Sequence, residues 1–483
     1  MKKILVIAVF CFAVNAFAQD STAVYKKRVL ESTEVDFLTS YYTQDGNNAS
    51  VTGGIGTEKL TDFTPTIVVS VPLNADDVLT VDAGISAYSS ASSSNLNPFD
   101  SSSGASAGGG GDDFEDDDVF NTNGPIGSPW VASSGASQSD VWGSVTVDYS
   151  HSSNDRNTIL NVDASFASEF DYSSIGFGGG ITKLFNDKNT TLNVSGKVYL
   201  DSWRPRYPTE LDSYYEVNGN LNNGFFQNVP IYDQLGNEIN KNGVGAWKPV
   251  MSPFIEDKSR NSYSVSVSFS QILSRNMQFS LFFDLVQQKG WLSNPMQRVY
   301  FGDVDNFYMG NPSSIPNYTS PTNKDVFQLA DDIERLPDSR FKIPVGMRLN
   351  YYLNEMFVLR TYYRYYSDDW GITSHTAEVE VPIKISSKFT LYPSYRYYTQ
   401  TAADYFAPYE MNLSTSEFYT SDYDLSEFNA NQYGFGVNYT DIFAKAHIWK
   451  FGLKSIDLKY NNYKRNTGLK ANIVSAGFKF IMD

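Results

Sequence analysis

The sequence predicts an all-β protein: a membrane-spanning antiparallel β-barrel of about sixteen strands. Three observations carry this reading. Apolar and polar residues alternate with period two in segment after segment, with little helical periodicity between them. The connections between those segments alternate between short and long, as the two ends of a membrane barrel require. Aromatic residues make up 15% of the 483 residues, with 33 Tyr and 33 Phe, while charged residues reach only 19%. A barrel places such aromatics at both membrane interfaces.

The chain opens with Lys2 and Lys3, an apolar run from Ile4 to Val14, and Ala16-Phe17-Ala18 as a small-x-small cleavage site. This reads as a secretory signal peptide over residues 1–18, too short to span a bilayer. Residues 19–34 read as a periplasmic tail, with Tyr25 to Leu30 as a candidate short helix, and residues 35–483 as the barrel. The one cysteine, Cys11, lies inside the leader. The mature chain therefore has no disulfide, thiolate metal site or cysteine nucleophile. No later stretch holds the ~20 apolar residues of a transmembrane helix. The formal net charge of −17 argues against a nucleic-acid partner.

The expected strands span 35–44, 64–73, 78–89, 140–150, 157–168, 173–184, 189–200, 260–271, 276–287, 340–351, 355–367, 371–383, 387–399, 430–441, 447–460 and 469–482. In the segment 189–200, Leu192, Val194, Val198 and Leu200 share one face, and Asn193, Ser195, Lys197 and Tyr199 the other. In 340–351, Phe341, Ile343, Val345, Met347, Leu349 and Tyr351 point outward. Every even-to-odd connection is a short turn rich in Asn, Asp and Ser, such as Asn74 to Asp77 and Asn186 to Lys188. All the long connections, 45–63, 90–139, 201–259, 288–339 and 400–429, fall on the opposite side. That sorting predicts both termini in the periplasm and five long extracellular loops. The alternating apolar stripe Val474, Ala476, Phe478, Phe480 and Met482 suits recognition by the outer-membrane insertion machinery, although the chain ends in Asp483. Only the short segment 19–34 precedes the first strand, which leaves no room there for a TonB-dependent plug.

Two groups of residues are candidates for function. If the apolar face meets lipid, Arg348, Arg360, Arg364, Glu378, Glu380, Lys384 and Arg396 point into the lumen from four neighbouring strands. Such a wall tunes ion selectivity in a porin, or fills a barrel with its own cross-strand ion pairs. The interleaving of signs favours the second. The loop 90–139 carries Asp112, Asp113, Glu115, Asp116, Asp117 and Asp118, candidate ligands for a hard cation such as Ca²⁺. Their spacing departs from an EF-hand, and a solvated acidic loop is the plainer reading. The tyrosine-rich loops 201–259, 288–339 and 400–429 are placed to fold over the mouth or to present a docking surface. His151, His375 and His447 lie far apart, with no catalytic motif tied to them.

Several segments resemble DUF3570, a family of uncharacterised outer-membrane proteins common in Bacteroidota. They include Tyr41-Tyr42-Thr43-Gln44-Asp45-Gly46-Asn47-Asn48, Val51 to Leu60, Ser134 to Asp140, Glu169 to Ser174 and Asn189 to Leu192. The resemblance implies an outer-membrane location and no established activity. It also implies genes adjoining small lipoproteins, thioredoxin-like proteins and flavin transferases, hence an envelope redox or assembly module. Within it, Gly53-Gly54-Ile55-Gly56-Thr57-Glu58 lies in the first outer loop, either as an inward-folding latch or as a glycine-rich hairpin. The expectation is a non-enzymatic barrel without a cofactor, in contact with outer-membrane lipid. It acts as a structural or interaction subunit beside envelope lipoproteins or other membrane subunits, or as a passive porin-like channel for small hydrophilic solutes or ions.

Overall fold

The computed structural model describes residues 28–90, 129, 140–250, 258–322 and 325–482. The proposed signal peptide and the acidic run from Asp112 to Asp118 lie outside those residues. Sixteen strands close into one antiparallel barrel: β1 (Glu34–Asp45), β2 (Leu60–Pro72), β3 (Asp77–Ser90), β4 (Asp140–Ser152), β5 (Thr158–Ser168), β6 (Tyr172–Phe185), β7 (Thr190–Trp203), β8 (Lys258–Ser274), β9 (Met277–Gly290), β10 (Ser339–Tyr352), β11 (Val358–Asp368), β12 (Thr373–Glu380), β13 (Phe389–Gln400), β14 (Phe428–Thr440), β15 (Phe451–Arg465) and β16 (Lys470–Met482). Each strand pairs with its sequence neighbour, and β1 pairs with β16 from Glu34↔Ile481 to Asp45↔Lys470. Closure leaves no free sheet edge, the condition for a sheet to survive in lipid.

The register fixes which residues face outward. Phe37↔Ile67, Ile67↔Ala83, Ala83↔Val145, Val145↔Phe166 and Phe166↔Ile175 run around one side of the outer surface. Leu281↔Met347, Met347↔Tyr363, Tyr363↔Ala377 and Ala377↔Tyr397 continue it on the other. Val145, Phe166, Ile175, Phe177, Leu281 and Met347 are all exposed. A continuous belt of such size on a closed sheet is stable only against acyl chains. Tyr365, Tyr397 and Tyr433 lie toward the loop end of the barrel, and Tyr149, Phe389 and Tyr439 toward the turn end. These are the two interfacial positions that amphipathic rings prefer.

The turns are built by short polar side chains. Asn74 Oδ1 accepts from the backbone N–H groups of Asp76 and Asp77 at 2.8 and 3.0 Å. Arg156 reaches across from the next turn to Asp76 at 2.5 Å. Most strand ends shift by a few residues from the sequence expectation, as where the expected 64–73 begins at Leu60, and two of the shifts have a visible local cause. The predicted strand 371–383 ends at Glu380, because Val381-Pro382 interrupts the ladder before the two-residue segment Ile383–Lys384 resumes it. Pro382 has no N–H to donate. The predicted strand 447–460 is displaced to 451–465. His447–Ile448 folds back on Phe451 and Gly452 through a turn in which Trp449 has φ 58°.

In β6, Gly176 lies under the Tyr199 ring, where a Cβ would come within 2.7 Å of Cε1. The glycine here thus marks close packing of a lumen side chain over a strand.

Candidate functional site

Function-bearing geometry occurs in two places: a charged lumen and a packed cap of loops at its mouth. In the lumen, one cavity of about 680 Å³ is lined by Arg348, Arg360, Arg364, Arg396, Glu378 and Glu380, with Asn350, Tyr362 and Thr376. Six of the seven charged residues expected on this wall therefore meet in one space. Lys384 lies outside it, opposite Thr390 at the turn end. The register sets Arg360 directly against Glu380 and Glu378 directly against Arg396, giving ion pairs at 2.8 and 2.6 Å. Lys459 of β15 adds a contact to Glu380 at 3.5 Å. Arg348 instead packs over the Phe282 and Tyr362 rings, each at 5.6 Å, and Arg364 over Tyr366 at 5.9 Å.

The signs interleave within this wall, as the sequence suggested, but they separate across the barrel. The lumen-facing positions of β1 to β5 carry Glu34, Asp36, Asp62, Asp82, Asp148 and Asp163 and no basic residue. At its edges the arc is paired with neighbouring strands: Glu34 with Lys454 of β15 at 2.9 Å, Asp36 with Lys479 of β16 at 3.2 Å, and Asp163 with Lys197 of β7 at 3.1 Å. In a ring of sixteen, β5 stands opposite β13, so the acidic arc faces the arginine wall. Sequence reading along neighbouring strands missed this, because the opposing residues lie some two hundred positions apart.

Among the described residues, the largest fully buried side chains lie in the loops rather than in the barrel. Leu211, Leu221, Phe226, Ile231, Trp247, Tyr300, Met309, Phe327 and Leu329 form one cluster, drawn from the β7–β8 and β9–β10 connections. Helix α1 (Thr209–Glu216) has Glu210 and Asp212 in its first turn, where the helix dipole favours them. Eight residues are too few to hold a helix alone. Burial of Leu211 against the cluster holds it. Short ladders join the connections: Phe307–Asp233 and Tyr308–Tyr232 pair β9–β10 with β7–β8, and Arg335↔Tyr419 pairs β9–β10 with β13–β14.

Arg298 stands at the centre of this cap. Its Nε and Nη2 donate to the two carboxylate oxygens of Glu210 at 2.8 and 3.1 Å, and its Nη1 to the carbonyl of Val51 at 3.3 Å. Burial opposes its charge, and the adjacent Glu210 carboxylate outweighs burial to hold the guanidinium protonated. The contact to Val51 joins the β9–β10 connection to the β1–β2 connection, which stand diametrically opposite in the ring. The cap therefore crosses the mouth. The segment Gly53 to Glu58 folds into it as a latch: Gly53 has φ 76° and lies beneath Tyr300, and Gly54 has φ 87° beside the Ser421 carbonyl. Among described residues it adds only an isolated bridge, Asn48↔Gly56, and no strand pair.

The cap also buries carboxylates. Glu334 accepts from the Thr420 hydroxyl and the Asn294 N–H, both at 2.6 Å, and burial pushes its pKa up to about 7. Asp331 accepts from the Phe301 N–H at 2.8 Å and is likewise raised by burial to about 7. Asp332 is paired with Arg335 at 2.9 Å and with the Tyr419 hydroxyl at 2.6 Å.

The three histidines are kept apart: His151 pairs with Asp77 at a turn, His375 bonds Tyr363 on the outer face, and His447 lies in the β14–β15 turn. No group of three or more metal-ligating side chains occurs among the described residues. The candidate cation ligands Asp112 to Asp118 lie outside them.

Comparison with solved structures finds a bacterial polysaccharide outer-membrane secretin, 8% identical, at a TM-score of 0.42 and covering 94% of this chain and 99% of that one. It also finds OccK2 (OpdF) of Pseudomonas aeruginosa, 7% identical, at a TM-score of 0.35 over 94% and 99%. The toluene transporter TodX of Pseudomonas putida is 8% identical, at a TM-score of 0.34 over 94% and 89%. No curated protein matches the chain. A family described as "Protein of unknown function (DUF3570)" matches residues 3–477, nearly the whole sequence, and the chain belongs to that family.

Proposed function

We propose that the chain is an integral outer-membrane barrel, with its turns and both termini in the periplasm and its cap outside. It acts without catalysis, as a structural or interaction subunit of a cell-envelope complex. The observation that carries this reading is the Arg298 node, which draws Glu210 and Val51 together over the mouth. A pore that only passes solute gains nothing from burying a charged pair and an aromatic core above its lumen. A docking surface gains a rigid scaffold. Outer-membrane lipid surrounds the belt, the insertion machinery places the barrel, and envelope lipoproteins or other membrane subunits are the partners. Purification from native membranes in mild detergent, followed by mass spectrometry, tests this: defined partners co-purify, and a chain with a disrupted cap loses them. Recovery of the same set with the disrupted cap would refute docking through the cap.

A second reading, a passive channel for small hydrophilic solutes or ions, draws support from the lumen itself. A sixteen-stranded barrel is wide enough to hold water, and its charges are divided between facing walls. A steady ohmic step in a planar bilayer favours this reading over the first.

A further inference from the structure

We infer that the arginine wall is a binding site for a small oxyanion, a phosphate- or carboxylate-bearing solute, held inside the lumen. The site goes beyond the docking reading and does not depend on it. The cavity of about 680 Å³ brings four arginines against two glutamates. Glu380 and Glu378 engage Arg360 and Arg396 respectively. Arg348 and Arg364 make no ion pair among the described residues. Their guanidinium groups lie against Phe282, Tyr362 and Tyr366. A cation–π contact of this kind uses the charge of a guanidinium without consuming its N–H donors. Two such forks on adjacent strands, Arg364 opposite Gly346 and Arg348 opposite Tyr362 in the register, present donors to one space. Gly346 has no side chain to fill it. The geometry suits a planar or tetrahedral oxyanion, for which arginine is the preferred ligand. Asn350 and Thr376 line the same cavity with further polar groups.

The facing wall explains how such a site stays selective. Asp148 and Asp163, with Asn161, Asn193 and Lys197, line a recess of about 300 Å³ on β4 to β7; Lys197 pairs with Asp163, and Asp148 leaves the recess net acidic. Arg348 and Asp148 each lie four residues from the turn end of their strands, Tyr352 and Ser152, so the two walls meet at a similar depth. The field between them draws an anion to the arginine side and away from the acidic side.

Titration calorimetry of the purified full chain in detergent, at low ionic strength, tests the site with two probes, inorganic phosphate and citrate. Saturable binding of either is expected, and which one binds identifies the oxyanion class. The double substitution Arg348→Gln with Arg364→Gln weakens it roughly tenfold or more. Glu378→Gln releases Arg396 and strengthens it several-fold. Foldedness of each variant is read from heat-modifiable gel migration. The site is refuted if neither anion saturates below about 10 mM, or if a folded double variant binds as the parent does. Should the double variant not fold, an unchanged affinity in Glu378→Gln overturns the site on its own.

Discussion

Arg298 and Glu210 form a bidentate ion pair between two different loops, Nε–Oε1 2.8 Å and Nη2–Oε2 3.1 Å, with side chains 1% and 0% exposed. Desolvating both charges is costly, and the pair persists because each fills the other's hydrogen-bonding needs. Removing one partner leaves a buried uncompensated charge. Arg298→Met or Glu210→Gln alone is expected to destabilise the cap by about 3–5 kcal/mol, while the double replacement recovers much of it. Limited proteolysis of the loops reads the effect, and heat-modifiable migration should stay unchanged because the barrel does not depend on the pair.

The latch gives a second test at Gly53. Its φ of 76° suits glycine, and a Cβ would lie 2.6 Å from Tyr300 Cδ2. Gly53→Ala should cost about 1–3 kcal/mol through backbone strain and the ring contact together. Hydrogen exchange should rise at Val51 and Thr52 while the amides of β1 and β2 keep their protection.

The cap should respond to pH in a definite direction. Glu334 and Asp331 have folded pKa values of about 7, raised by burial above the ordinary 4.5 and 3.8. The folded cap therefore holds protons that the unfolded loops release. Their contribution is fully present below about pH 4 and declines as pH rises toward 7, by about 3–4 kcal/mol for each group. Loop proteolysis should be slower at pH 5 than at pH 8, and Glu334→Gln with Asp331→Asn should flatten that difference.

Much of the barrel was legible because lipid imposes a local rule. A strand must show apolar residues every second position, so Phe279, Leu281 and Phe283 declare their face without reference to any partner. The sixteen strands, the sorting of turns from loops and the lumen-facing side of Arg348 all follow from that rule. The cap obeys no such period. Trp247 is buried by Tyr214 and Phe226 in an irregular loop, and Arg298 meets Val51 across 247 positions. Nothing in the neighbours of either residue announces the contact. The division of charge between facing walls was hidden for the same reason: it needs the strand count and closure before Asp163 and Arg396 can be set opposite each other.

The belt predicts an asymmetry between faces. Val145 sits mid-strand on the lipid side of β4, and Thr146 beside it points into the lumen. Val145→Arg should cost about 2–4 kcal/mol at the bilayer midplane, and Thr146→Arg much less. Denaturant unfolding from lipid vesicles compares the two.

Single-channel recording of the purified full chain in planar bilayers tests the central claim most directly. With the mouth crossed by Arg298, Glu210 and Val51, the parent chain should give no steady conductance, and Glu210→Gln should produce ohmic or flickering steps as the cap loosens. A steady ohmic step from the parent chain, unchanged by Glu210→Gln, would contradict a cap that closes the barrel.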